Sequence, residues 1–423
     1  MGALSGRGVA WLTASIVGVL VAAAPALAQE GPPERPDTRQ VMFVGNNWEG
    51  TADVVDASTF ERLGRINVVP DKEERLREIH SSPDKLAFFL LIRHFVGEGN
   101  DQFVDDMFTT HDGELVAVSR PSFADVVGIS LPTREIVWRF PMEGYRADHM
   151  AVSPDGTRLL VSDSTANKVH ELDIRTGAKT GEFPTGDSPH ENQYSKDGTR
   201  IFNASIGRVY TPTDRSELGP VRDASKGQRY LQIVDAESLE VLNRWDMGQK
   251  LEEAGHPDMD SAVRPMALSP DERLAYLQIS FHHGFVEFDL EQERVLRVAD
   301  LPVSEEAQNT PREQYLLDSA HHGIAMNPDG TKLCVAGTMS DYAAIVSRST
   351  FEATVFPAGE KPYWSTNGLG GGTCWVSFSG DDTVGVFDYA SEQQIATIPV
   401  GDHPQRVRRG AIQTAYLPGL PPP

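Results

Sequence analysis

Cysteine is almost missing from this chain: Cys334 and Cys374 are the only two among 423 residues. Two thiols cannot make a Cys-based zinc site. They fall in neighbouring repeats, where a disulfide and two buried free thiols are both open readings; the bridge needs Cα atoms within about 7 Å. No C-x-x-C-H is present to attach a haem, and neither the G-x-S-x-G nucleophile elbow nor H-E-x-x-H occurs. Positive charge is scarce, 38 Lys and Arg against 61 Asp and Glu, for a net charge of −23 and a pI near 4.9. A field of that sign repels nucleic acid and anionic membrane surfaces. It serves solubility, or the attraction of a cationic partner. Beyond Ala28 no run is apolar enough to span a bilayer, and no helix-period pattern of useful length separates the segments.

The N-terminus reads as a leader. Arg7 precedes an apolar run from Val9 to Ala28 that ends Ala26-Leu27-Ala28, the pattern of a cleaved secretory signal. The run is nearly long enough for an uncleaved anchor, but Pro25 and its small neighbours favour cleavage. Residues 1–28 are thus expected to be a signal peptide and 29–37 a disordered mature N-terminus. A single domain follows over 38–413, then a Pro-rich tail over 414–423, all extracytoplasmic (secreted or periplasmic). Hydrophobic residues at 39% permit a large core.

One phrase recurs. Ser153-Pro154-Asp155-Gly156-Thr157-Arg158-Leu159-Leu160-Val161 returns as Asn327-Pro328-Asp329-Gly330-Thr331-Lys332-Leu333-Cys334-Val335, with weaker copies at Ser195, Ser269, Thr110 and Ser82-Pro83-Asp84-Lys85. Proline fixes φ at the first central turn position, Asp and Gly supply the reversal, and the apolar residues after it form a strand. A third strand ends in an acidic turn, as in 168–173 and 383–388, and a fourth comes after it, as in 181–186 and 395–401. Turn aspartates at 112, 155, 197, 271 and 329 set a period of about 42 residues, the longer gaps marking polar insertions near 208–228, 248–262 and 303–317, each a surface loop with room for a short helix. Such a unit cannot bury both faces alone, whereas radial stacking covers each sheet and ring closure protects the edges.

The expected fold is therefore an all-β, seven-bladed β-propeller of four-stranded antiparallel blades. Six blades lie near 101–145, 146–187, 188–262, 263–318, 319–361 and 362–402. The seventh is shared by the termini, with 41–46 and 52–69 outside and 405–412 as the inner strand. Residues 77–100 read as a further hairpin, an insertion or part of an eighth blade. The turn SPDGTRLLV, the strand DDTVGVFD and the segment ATIPVGDHPQRV resemble the YVTN-type or YncE-like seven-bladed propeller repeat family of secreted bacterial proteins, over essentially all of 38–413 and most closely at 146–190 and 371–407. That resemblance implies a fold and is nearly silent about activity, since the family holds binding proteins, surface proteins and enzymes.

Inner strands line a propeller's channel, so the residue seven before each turn aspartate should face one mouth. This gives Arg77, Asp105, Asp148, His190, Arg264 and His322, followed by Glu78, Asp106, His149, Glu191, Pro265 and Gly323. Tyr363-Trp364, His403 and Arg406 occupy the same region of the remaining blades, and His321 adjoins His322. Buried charge must be paired or hold a ligand, which leaves three readings. The mouth binds a small polar ligand or an extracytoplasmic protein partner. Alternatively it is a lyase-, hydrolase- or oxidoreductase-like active site, with His149, His190 or His322 as acid or base and Arg264 clamping an anion, metal-dependent if those histidines hold copper, zinc or manganese. In the third reading the ring is a satisfied ion-pair network on a scaffold. A quinone is compatible with the fold, since it needs no short motif. The chain is expected to be a monomer. Among the other histidines, His282 and His283 should lie in a loop, and His170 and His256 at the surface.

Overall fold

The repeated turn closes as its residues demand. In the computed structural model Asp155 accepts from Ser153 Oγ (2.5 Å), the Thr157 N–H (3.1 Å) and the Thr157 hydroxyl (2.8 Å). Ser153 Oγ accepts in turn from the Arg158 N–H. Gly156 takes φ +72°, open to glycine without a Cβ penalty. The same bonds recur around Asp197.

Each turn joins the first two strands of a blade, and the structure, which describes residues 37–208, 226–315 and 319–422, has seven such four-stranded antiparallel sheets. Blade 1 pairs Thr38–Asn46 with Thr51–Asp56 and Arg62–Asn67, and takes its inner strand, Pro404–Gln413, from the other end of the chain. The register Thr38 to Gln413 and Val44 to Val407 makes this the closing ladder of the ring. The inner strands of the other blades are Met107–Thr109 (blade 2), Ala147–Val152 (3), Pro189–Tyr194 (4), Val263–Leu268 (5), Ile324–Met326 (6) and Pro362–Asn367 (7). Each touches the next around the circle, and blade 7 returns to Pro404–Gln413. The protein is a seven-bladed β-propeller.

The core lies between blades, as radial stacking requires. Phe202, Leu231 and Trp245 of blade 4 interlock with Leu277, Val286 and Phe288 of blade 5, and the other seams repeat this. Cys334 and Cys374, on the second strands of blades 6 and 7, are joined in a disulfide with Cα atoms 6.4 Å apart.

Residues 77–100 differ from the expected hairpin, and the eighth blade falls with it. Most of them belong to two helices, α1 (Lys72–His80) and α2 (Pro83–Phe95), with turns over 96–100. Ser-Pro-Asp also opens a helix: Ser82 is the N-cap, Pro83 stands at the first helical position and Asp84 in the first turn. No glycine comes next to force a reversal, and Lys85-Leu86-Ala87 begins a run that propagates the helix. Buried Arg120 ties α1 to blade 2: its Nε donates to Asp125 (2.7 Å) and its terminal nitrogens to Asp125 and to Asp71, the α1 N-cap. Two insertions do hold short helices, α3 (Met247–Glu253) and α4 (Glu305–Asn309), capped by the Asp246 and Ser304 side chains. The leader, 29–36 and most of 208–228 lie outside the described residues. The tail is packed: Thr414–Gly419 forms a 3-10 turn, Leu420 is buried, and the Arg65 N–H donates to the Pro421 carbonyl.

Candidate functional site

A bulge in the inner strand turns consecutive residues toward the axis. The ladder jumps from Ala147 to Met150 in blade 3, Pro189 to Asn192 in blade 4, Val263 to Met266 in blade 5 and Pro362 to Ser365 in blade 7. Each jump releases one pair from regular pairing: Asp148-His149, His190-Glu191, Arg264-Pro265 and Tyr363-Trp364. Bulges re-aim side chains in this way. In blade 1 the same irregularity frees Gln405-Arg406, and in blades 2 and 6 the strand starts just after Asp105-Asp106 and His322-Gly323. Serines on the second strands brace the released backbone: Ser119 Oγ accepts from the Asp106 N–H, and Ser377 Oγ accepts from the Trp364 N–H and donates to the Gln405 carbonyl.

The structure brings most of the expected residues together. His149, His190 and His322 are buried, each with a ligand-capable atom within 4.8 Å of the others', and the His149 and His190 rings lie 3.7 Å apart. Asp105, Asp148 and His149 form a second such group. His149 Nδ1 lies 2.8 Å from Glu191 Oε2, and its Nε2 is contacted by Arg406. Arg406 also pairs with Asp105 (3.2 Å) and stacks over Trp364, 4.1 Å from the ring centre. Arg264 donates to Ser280 Oγ (2.7 Å). Both ring nitrogens of His322, Nδ1 of His190 and Oδ2 of Asp105 are buried without a hydrogen bond of normal geometry. Such orphaned groups mark places where water, an ion or a ligand belongs.

Four expected residues lie elsewhere. Arg77 is exposed on α1, where it bonds the Glu73 carbonyl, and Glu78 on the same helix pairs with Lys85. His321 points into a separate aromatic cluster, accepting from or donating to the Tyr342 hydroxyl (3.0 Å) beside His283. His403 stacks flat on Trp48 at 3.7 Å. His170, expected at the surface, is fully buried between Asp163 (3.3 Å) and Phe140. The position-counting also passed over Arg146, which approaches Asp148 (3.5 Å), and Arg408, whose two bonds to Asp106 are both 2.7 Å. Both lie just outside the released pairs, and an Arg two residues from an expected ring position was their only signal.

Burial dominates the electrostatics. It holds His149, His190 and His322 well below the ordinary histidine value, helped by Arg406 and Arg264, so all three are neutral. Burial pushes Asp105 up to about 7 against the pull of Arg406, and Glu191 up to about 8 against Arg408 and Arg406. For Asp106 the Arg408 and Arg406 guanidiniums outweigh burial and hold it below the usual carboxyl range.

This polar plug divides the channel. On the turn side lies a chamber of about 440 Å³ reached by Glu191, Trp364 and Arg408. On the other side a cavity of about 80 Å³ lies between Arg146, His190, Arg264 and Tyr363 on the ring and Leu91 and Phe95 of α2.

Among solved structures, Kuenenia stuttgartiensis hydrazine synthase superposes with a TM-score of 0.53, at 14% identity over 74% of this chain and 96% of that one. That likeness shows the propeller fold alone. No family model and no curated protein matches the chain. The site's own geometry offers neutral imidazoles, fixed guanidiniums and a carboxyl-oriented histidine in a buried space. Among the described residues no helix is long and apolar enough to cross a membrane.

Proposed function

We propose that this protein is an exported binding propeller of the YVTN-type kind that takes a small organic anion into the cavity beneath α2. One observation carries the reading: Arg264 and Arg146 line one wall and the apolar side chains of α2 line the other. A carboxylate would meet a planar guanidinium fork at one end and apolar surface at the other, the usual composition of small-molecule sites. The YVTN-type assignment is supported by the repeated turn phrase and by the seven blades. Export is supported by the leader pattern and by the Cys334–Cys374 disulfide, since such bonds persist in oxidising compartments.

The test is calorimetry with a panel of short carboxylates of rising apolar size. Micromolar binding by at least one of them, weakened about tenfold or more in Arg264→Gln through loss of a charged hydrogen bond, is the expected result. A panel without binding, or equal binding to the variant, overturns it.

A second reading is favoured by the His149–Glu191 pair. A neutral imidazole oriented by a carboxyl group is the arrangement of a general base, which would make the bound anion a substrate for a hydrolase- or lyase-type step.

A further inference from the structure

We infer that His149, His190 and His322 form a binding site for one divalent transition-metal ion of the copper–zinc class. This site stands or falls independently of the organic-anion reading. The three histidines come from blades 3, 4 and 6, so ring closure rather than any local motif assembles them. Their ligand-capable atoms already lie within 4.8 Å of one another. Tetrahedral coordination with metal–nitrogen bonds of about 2.0–2.1 Å separates donors by about 3.3 Å, so side-chain rotation of about 1.5 Å completes the approach.

Three further observations point to an ion. First, His322 Nδ1 and Nε2 and His190 Nδ1 are buried nitrogens without a hydrogen bond of normal geometry, whereas most such groups in protein interiors are satisfied. Second, His149 carries the outer support that metal-binding imidazoles use: Nδ1 faces the Glu191 carboxyl group at 2.8 Å, which fixes the ring and leaves Nε2 as the donor. Arg406, which contacts Nε2, keeps Asp105 as its partner when it yields that position. Third, carboxyl groups stand beside the imidazoles: Asp148 Oδ1 lies 3.7 Å from His149 Nε2, and Asp105, Asp148 and His149 form an overlapping group of ligand-capable atoms. The His322 ring is also held in place, stacked on Tyr363 at 4.1 Å. Three imidazoles suit zinc, copper and their neighbours in the first transition row. With three protein ligands the ion keeps an open position, as catalytic sites do and closed structural sites do not.

The test uses the whole purified protein, stripped with chelator and titrated with Co(II) and Cu(II) in a non-coordinating buffer free of organic anions. One ion per chain is expected to survive gel filtration. Co(II) should give visible d–d bands, and Cu(II) should give an EPR spectrum with superhyperfine structure from several nitrogens. His190→Gln and His322→Gln should each abolish retention, and His403→Gln, buried outside the group, should keep it. Glu191→Gln, which leaves all three ligands in place, should weaken binding about ten- to a hundredfold. Failure of the stripped wild type to retain Co(II) or Cu(II), a spectrum without nitrogen coupling, or full retention in both His190→Gln and His322→Gln overturns the site. The wild-type spectra decide the matter even if a variant fails to fold. Carboxylate binding without metal retention would leave the organic-anion reading standing and this one refuted.

Discussion

At the scale of single residues, the buried histidines and carboxyl groups hold their protons unusually, and pH exposes this. His149, His190, His321 and His322 are all held well below the ordinary value by burial. As pH falls through about 6.5 the unfolded chain takes up protons that the folded protein refuses, so stability drops. Asp105 and Glu191 act in the opposite sense. Raised to about 7 and about 8, they hold protons that the unfolded chain has lost above about pH 4.5, so their contribution declines as pH rises through those values. Burial lowers His282, His283 and His403 as well, so seven histidines stand against two carboxyl groups and leave a net difference of up to five protons below about pH 6.5, a slope of up to about 7 kcal/mol per pH unit. Toward pH 8 only the carboxyl groups remain and the slope reverses. The metal-free protein should therefore be most stable near pH 7, as measured by urea midpoints in the presence of chelator. Glu191→Gln should flatten the alkaline side and steepen the acid side. A midpoint that rises steadily to pH 8 would contradict this account. The ring was legible in the sequence because the turn aspartate is a fixed ruler: counting back seven places found Asp105, Asp148, His190, Arg264 and His322 correctly. The ruler failed at Arg77, where the turn it was laid against is a helix start. His321, added only as the neighbour of His322, lies outside the ring because adjacent residues in blade 6 point opposite ways, Gly323 occupying the second released position.

At the scale of elements, the misreading of residues 77–100 has a physical cause. Ser-Pro-Asp suits a β-turn and a helix N-terminus equally, and only the residues downstream of the aspartate decide between them. Where glycine and β-branched residues come next, as after Asp155, the chain reverses. Where Lys-Leu-Ala-Phe-Phe-Leu-Leu comes next, it coils, and the exposed Phe95 and Leu90 gave no clean amphipathic period to signal this. Nothing local reveals that α2 lies across the channel mouth; its packing partner α1 is tied to the ring by Arg120, a residue of blade 2. Replacing Arg120 with Met leaves buried Asp125 with Arg139 alone and Asp71 without its Arg120 bonds. Breaking one side of a buried pair costs about 3 kcal/mol. Because α1 is tied to the ring at this point, hydrogen exchange should rise across residues 72–95 in Arg120→Met while blades 4 to 6 keep wild-type protection. Uniformly faster exchange would mean that the helices and the ring unfold as one unit.

At the scale of the molecule, ring closure is the feature most readable from the sequence and the one on which the site depends. The inner strand of blade 1 was foreseen at 405–412 because the count of units left one blade short of a strand, and Pro404–Gln413 fills it. The same strand delivers Arg406 and Arg408 to the axis, so closing the ring and completing the charge balance are one event. A chain ending at residue 403 should lose both: the strand Thr38–Asn46 would become an open edge, Asp105 and Asp106 would lose their guanidinium partners, and cooperative thermal unfolding should disappear. That result alone would not separate lost closure from lost residues. A circular permutant does. Thr38 and Gln413 are paired neighbours, and the Thr414 N–H reaches the Asp37 carbonyl, so the two ends of the ring-forming segment meet. A flexible linker of about ten Gly and Ser residues, whose ends span roughly 16–19 Å, should join 422 to 37. New termini belong at the exposed Gly370 turn between the first two strands of blade 7. Every residue of 37–422 is then kept, and closure passes from the seam of blade 1 to the hairpin of blade 7, where the ladder Ser365–Asn367 with Cys374–Val376 and the Cys334–Cys374 bridge hold it. The permutant should unfold cooperatively within a few degrees of the parent in oxidising buffer, and fall further than the parent when the disulfide is reduced, because the bridge then guards the only open seam. Equal losses on reduction would mean that closure is enforced by the packed seams between blades and not by the strand that completes the circle.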